Sequence, residues 1–112
     1  MNYEEERIQR NCVTYFNLKY RNLVGLLCCN LNNSKDKKTG GRNKALGVVA
    51  GRSDLVFYYK QRAYHIEVKQ QGKKQSKVQV AWQKTIEYQG FQYFLIYSID
   101  DFIKLIEEIV DV

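Results

Sequence analysis

Asp54-Leu55-Val56-Phe57-Tyr58-Tyr59-Lys60-Gln61-Arg62-Ala63-Tyr64-His65-Ile66-Glu67-Val68-Lys69 is the stretch on which the reading of this chain turns. Two runs rich in aromatic and β-branched residues, 54–59 and 64–69, flank the polar link Lys60-Gln61-Arg62-Ala63, the pattern of a β-hairpin. Set with Tyr59 opposite Tyr64, the hairpin has Asp54 facing Lys69, Val56 facing Glu67 and Tyr58 facing His65. Because side chains alternate, Leu55, Phe57, Tyr59, Tyr64, Ile66 and Val68 share one face, wholly apolar or aromatic. The other face collects Asp54, Glu67 and Lys69, with His65 further along, and is expected to be exposed. Asp54 and Glu67 become diagonal neighbours, roughly 7 Å apart at Cα.

Two acids side by side on a sheet repel unless a cation lies between them. Hard oxygen ligands suit Mg²⁺ or Mn²⁺. Lys69, on the same face, is placed to orient water or to stabilise charge on a phosphate. The plainer alternative is a pair of cross-strand salt bridges from Lys69 to Asp54 and Glu67 on a solvated face. The surrounding charge favours the ion. Residues 35–77 hold twelve Lys and Arg against three acids, a net of +9, while the rest of the chain holds six against nine. Such segregation is the footprint of a polyanionic partner, most commonly nucleic acid. Lys38, Arg42, Lys44, Arg52, Lys73, Lys74 and Lys77 are the expected phosphate contacts. Gly40-Gly41-Arg42 reads either as a phosphate-clamping turn or as a plain flexible loop.

Towards the N-terminus, Glu4 to about Tyr20 reads as an amphipathic helix, with Ile8, Cys12, Phe16 and Tyr20 recurring at i+4 beside Val13. Glu5 points into that stripe, whereas Glu4 and Glu6 point away. Glu5 is then either a third site carboxylate needing a partner or an acid favoured near a helix N-terminus. Leu23–Cys29 reads as a buried strand, with Cys28 and Cys29 in the core. The polar connection Asn30–Ser53 is longer than compact folds usually hold, with a short helical turn expected around Arg42–Gly47.

Towards the C-terminus, Gln71–Gln75 is a loop and Ser76 with Gln79 has capping-box spacing. Gln79 is read as the reciprocal cap or as a site residue. The helix that follows carries Val78, Ala81, Trp82, Thr85 and Ile86 inward and ends at Gly90. Phe91–Tyr97 is a strand. Ser98 and Asp101 open a last helix with Ile99, Phe102, Ile103, Ile106, Ile109 and Val110 on one stripe. The resulting order, α-β-β-β-α-β-α, predicts an α/β fold with a mixed sheet flanked by helices.

A length of 112 residues predicts one domain, 1–112. No apolar stretch approaches the roughly 20 residues of a membrane span. The acidic, polar start Met1-Asn2-Tyr3-Glu4-Glu5-Glu6 does not read as a signal peptide. Three cysteines without metal-ligand spacing exclude a zinc ribbon and suit a reducing cytoplasm. The single histidine, His65, is read as a packing or phosphate-facing residue.

The arrangement resembles the PD-(D/E)xK nuclease superfamily with its restriction-endonuclease-like core, and more narrowly the VRR-Nuc family in its small stand-alone form from phages and bacteria. Glu5-Glu6-Arg7-Ile8-Gln9 looks like that family's opening helix. Gly47-Val48-Val49-Ala50-Gly51-Arg52-Ser53-Asp54-Leu55 looks like its glycine-flanked approach to a metal-binding Asp, with Ser53 where the superfamily's name has proline. Ile66-Glu67-Val68-Lys69 is the (D/E)xK element. Ser76-Lys77-Val78-Gln79 with Trp82 resembles its Ser-x-x-Gln…Trp helix start, and Gly90-Phe91-Gln92-Tyr93 its glycine-aromatic turn.

The resemblance implies a Mg²⁺- or Mn²⁺-dependent DNA endonuclease. By it, Asp54, Glu67 and the Val68 carbonyl bind the metal, Lys69 serves the attacking water, and Glu5 and Gln79 complete the site. With no base-reading element visible, structure-selective cleavage is expected, and the small members resemble dimeric four-way-junction resolvases. The alternatives are a non-catalytic nucleic-acid-binding module and a flap or nick nuclease acting with a partner. A homodimer is expected because Phe91–Tyr97 is apolar on both faces and needs covering twice, unless the last helix covers one of them.

Overall fold

The hairpin carries an oily face and an ionic face, and a different layer covers each. The structure is a computed structural model that describes residues 1–30 and 37–111, with backbone alone for 37–40. Its elements are α1 (Tyr3–Lys19), a 3-10 turn (Arg21–Leu23), β1 (Leu27–Cys29), α2 (Lys37–Ala45), β2 (Leu55–Tyr59), β3 (Arg62–Val68), α3 (Lys77–Tyr88), β4 (Gln92–Ile96) and α4 (Ile99–Val110). The sheet runs β1-β2-β3-β4, antiparallel until β4 joins β3 in parallel through the α3 crossover. Fold class and element order are those the sequence predicts. The helical turn expected around Arg42–Gly47 is a longer helix that starts at Lys37, and Gly40-Gly41-Arg42 lies within it rather than in a turn. No helix among the described residues is long and apolar enough to cross a membrane.

The apolar face packs under α1 and α4. Ile8, Cys12 and Phe16 of α1 meet Leu55, Phe57, Ile66, Val68 and Ile96 of the sheet and Phe102, Leu105 and Ile106 of α4. Phe16 sits edge-on to Phe57 at the centre, with ring centroids 5.2 Å apart. Asn2 caps α1, its side chain accepting the Glu5 N–H at 2.8 Å. Glu4 and Glu6 turn outward to Arg7 and Arg10, as their helical positions require.

The ionic face lies under α3, and here four expectations are corrected. The hairpin turn is tighter than expected: Tyr59 pairs with Arg62, and only Lys60 and Gln61 make the turn, at φ 47° and 67°. Positive φ at both central residues gives a two-residue turn the twist that matches its strands. With no glycine or asparagine there, the sequence did not announce it. The register moves by two, so every side chain keeps its face.

The inward side of α3 is Gln79, Trp82, Gln83 and Ile86, while Val78, Ala81 and Thr85 are exposed. A helix lying over carboxylates turns its amides towards them. Leu23–Cys29 is not a buried strand. Gly25, at φ 99°, breaks the run, and β1 is a short edge strand that leaves Cys28 and Cys29 exposed. Finally, both faces of β4 are covered within one chain, by α3 over Tyr93 and by the core over Phe94 and Ile96.

One close approach fixes the site strand against α3. Gly51 has φ 81°, and a Cβ there would lie 2.4 Å from the Val78 carbonyl oxygen. Gly72 has a similar φ of 83° but open space around it. Gly72→Ala is expected to cost only the left-handed backbone penalty of about 1–2 kcal/mol. Gly51→Ala should cost clearly more and shift the loop leading to Asp54. Urea midpoints at constant m-value check this, and equal losses in the two variants would contradict it.

Candidate metal centre

Asp54 sits at the entrance to β2, and Glu67 lies one residue before the end of β3. Continued one step past the Leu55–Ile66 pair, the register sets Asp54 across from Glu67 rather than diagonal to it. Asp54 Oδ2 accepts the Val68 N–H at 2.7 Å, and its carbonyl accepts the Asn30 N–H at 2.9 Å. Burial pushes the Asp54 carboxyl up to about 6, opposed by the Val68 hydrogen bond and reinforced by the charges of Glu67 and Glu5. The Val68 side chain itself is in the core.

Glu67 is fully buried, not on an exposed face as expected. Its Oε1 accepts Tyr93 Oη at 2.5 Å and Gln75 Nε2 at 3.0 Å. Its Oε2 is buried with no hydrogen-bond partner among the described residues. An orphaned buried carboxylate oxygen is costly, and a cation is the partner its chemistry suits. The donor set therefore fits a divalent ion. No three His, Cys, Asp or Glu side chains among the described residues converge on one point. Asp54 and Glu67 would thus need a main-chain carbonyl or water to complete a shell, as hard cations commonly accept.

Glu5 lies close enough for its charge to act on Asp54. It is 6% exposed, and its Oε2 accepts the Gln70 N–H at 2.9 Å, while Asn2 Nδ2 donates to Gln70 Oε1 at 3.0 Å. The start of α1 is thereby stitched to the residue after Lys69. Lys69 forms no ion pair with Asp54 or Glu67 among the described residues, so the expected alternative of cross-strand salt bridges is not realised. Gln79 does make the reciprocal cap, its Oε1 accepting the Ser76 N–H at 2.8 Å.

Glu5, Asp54, Lys69 and Gln79 line one open cleft of about 760 Å³, together with Arg52, Lys73 and Lys74. Glu67, fully buried, is not on its wall. Arg42, Lys44 and Lys77 are exposed but off the cleft wall, and the Lys38 side chain lies outside the described residues.

His65 is a packing residue. Its Nδ1 lies 3.0 Å from Ser53 Oγ, its ring is parallel to Tyr93 at 4°, and it stands edge-on to Trp82 and Phe91. Burial lowers its pKa. The sequence reading missed Ser53, Gln75, Gln83 and Tyr93. A signal existed for one of these, since Gln79, Gln83 and Glu87 recur every fourth residue along one polar edge of α3.

A solved structure named "VRR_NUC domain protein" superposes with a TM-score of 0.81 over 99% of this chain and 91% of that one, at 17% identity. The fold is that of a VRR_NUC domain. A second, named "VRR_NUC domain", matches with a TM-score of 0.62 over 95% of this chain and 97% of its own, at 20% identity. No protein-family model and no curated protein matches the sequence. Within the VRR_NUC fold, the described carboxylates lie where the hairpin's ionic face meets α1 and α3.

The raised Asp54 carboxyl has a signature in the metal-free protein. Between the ordinary value of 3.8 and about 6, the folded chain holds a proton that the unfolded chain has lost. Stability contributed by this group therefore falls as pH rises through that window and stays flat above it. In chelator, Asp54→Asn should be the more stable form above pH 6, and its advantage should vanish near pH 4. Thermal midpoints of both proteins against pH read the difference directly.

Proposed function

We propose that this chain is a VRR-Nuc-family endonuclease that hydrolyses DNA phosphodiester bonds with Mg²⁺ or Mn²⁺. The observation that carries the reading is the orphaned, buried Glu67 Oε2 on the residue across from Asp54, which lines a cleft with Lys69, Lys73 and Lys74. The fold likeness supports it.

When bound, the ion supplies polarisation of a phosphate oxygen and acidification of water. Asp54, Glu67 and the Val68 carbonyl are the groups that would hold it. Lys69 positions the attacking water and offsets the charge that builds on the phosphate. Glu5 and Gln79 complete the cleft wall on either side. Arg52, Lys73 and Lys74 grip the backbone near the scissile bond, and Lys38, Arg42, Lys44 and Lys77 extend that grip.

The absence of a base-reading element among the described residues favours recognition of DNA shape, and a four-way junction is the proposed substrate. A symmetric homodimer would bring two sites to opposed strands. Its interface would lie away from the two faces of β4, which α3 and the core already cover.

Cleavage of flaps, nicked duplex, splayed arms and four-way junctions should occur with Mg²⁺ or Mn²⁺ and stop with chelator. Asp54→Asn and Glu67→Gln should abolish it while DNA binding persists. Lys69→Ala should lower the rate by on the order of 10²-fold or more. Full cleavage by Glu67→Gln in Mg²⁺ would sink the mechanism, and binding with no metal-dependent cutting would point to a recognition module instead.

Affinity should fall steeply with salt. Replacing Lys73, Lys74 and Lys77 together by Gln should flatten the log-log slope by roughly one unit per lost phosphate contact. A changed sequence preference with an unchanged slope would contradict their assignment.

A further inference from the structure

The two oxygens of Glu67 are held in opposite ways. Oε1 receives two donors from two separate elements, Tyr93 Oη of β4 at 2.5 Å and Gln75 Nε2 of the loop before α3 at 3.0 Å. Oε2 is equally buried and receives none among the described residues. Neither donor is loose. Tyr93 is 8% exposed, and its ring lies parallel to the His65 ring, which Ser53 fixes in turn. The phenol is the donor of its pair with Glu67, because a carboxylate oxygen can only accept. Gln75 Nε2 is also bonded to Gln83 Oε1 at 2.9 Å, and Gln83 donates to Glu87 at 3.3 Å.

A carboxylate oxygen has two lone-pair sites, and on Oε1 both are taken. Only Oε2 is left to meet a cation. We propose that Tyr93 and Gln75 are positioning residues that restrict Glu67 to coordination through one oxygen, and so tune the site to a small octahedral ion over Ca²⁺. This rests on the reading of Glu67 as a metal ligand. Mg²⁺ demands near-octahedral ligands at about 2.0–2.1 Å, which the narrow bite of a two-oxygen carboxylate disturbs. Ca²⁺, at about 2.3–2.6 Å and six to eight ligands, accepts that bite readily. Removing the Tyr93 hydroxyl returns a lone pair to Oε1 and lets Glu67 turn both oxygens to the ion.

The test measures dissociation constants of MgCl₂ and CaCl₂ for the DNA-free protein by calorimetry, in wild type, Tyr93→Phe, Gln75→Met and Glu67→Gln. Loss of an outer-shell hydrogen bond typically changes metal affinity by 10–100-fold. In Tyr93→Phe the Mg²⁺ affinity should drop by about tenfold, while Ca²⁺ affinity holds or rises, so the preference between the ions shifts. Gln75→Met, at a half-exposed position that tolerates change, should shift it in the same direction by less. A merely structural role would weaken both ions alike and leave their ratio fixed. If both variants keep the wild-type ratio while Glu67→Gln loses metal, the positioning role is wrong and the metal site stands. If Glu67→Gln binds both ions as well as wild type does, the metal-site reading fails, and this inference with it.

Discussion

Burying a carboxylate inside a sheet costs several kcal/mol unless donors or a cation meet it. Glu67 is fully buried near the end of an inner strand of this one. Much of the α3 side of the molecule answers that demand. β4 brings a phenol to Glu67, the loop before α3 brings an amide, and α3 presents glutamines where a core helix would present leucines. The apolar side of the same strands needs no such provision and is sealed by α1 and α4.

The two layers are not independent, because single residues tie them across the sheet's end. Glu5 lies on the core-facing stripe of α1, yet its carboxylate reaches the backbone just past β3. Gly51 lets the strand carrying Asp54 come within contact of the first turn of α3. A helix start, a glycine and a strand end thereby converge on one cleft. Helix caps and hydrogen bonds to the backbone hold several of the residues that shape the cleft.

Much of this was legible from the chain. Alternation along 54–69 separated the apolar from the ionic face, and the i+4 spacing of α1 placed Glu5 inward among Ile8, Cys12 and Phe16. Both survived a wrong hairpin register because the error was an even number of residues. What was not legible follows from context. Tyr93 and the inward side of α3 look like ordinary core material or an ordinary amphipathic face, and only the buried charge opposite gives them a polar task. The exposure of Cys28 and Cys29 depended on β1 being an edge strand, which pairing order decides and local hydrophobicity does not. Lys60 and Gln61 adopt a left-handed turn that their composition does not advertise.

The bond between Glu5 and Gln70 spans 65 positions along the chain. Joining such distant residues closes a large loop, an entropic cost that the contact must repay. Tyr93, which steadies Glu67, enters later still in chain order. A polypeptide that has emerged only as far as β3 has its two carboxylates but neither α3 above them nor the phenol beside them. The hydrogen-bonded setting of the cleft is therefore incomplete in the growing chain. It becomes available as a property of the finished fold, when the first helix and the last strand have both arrived.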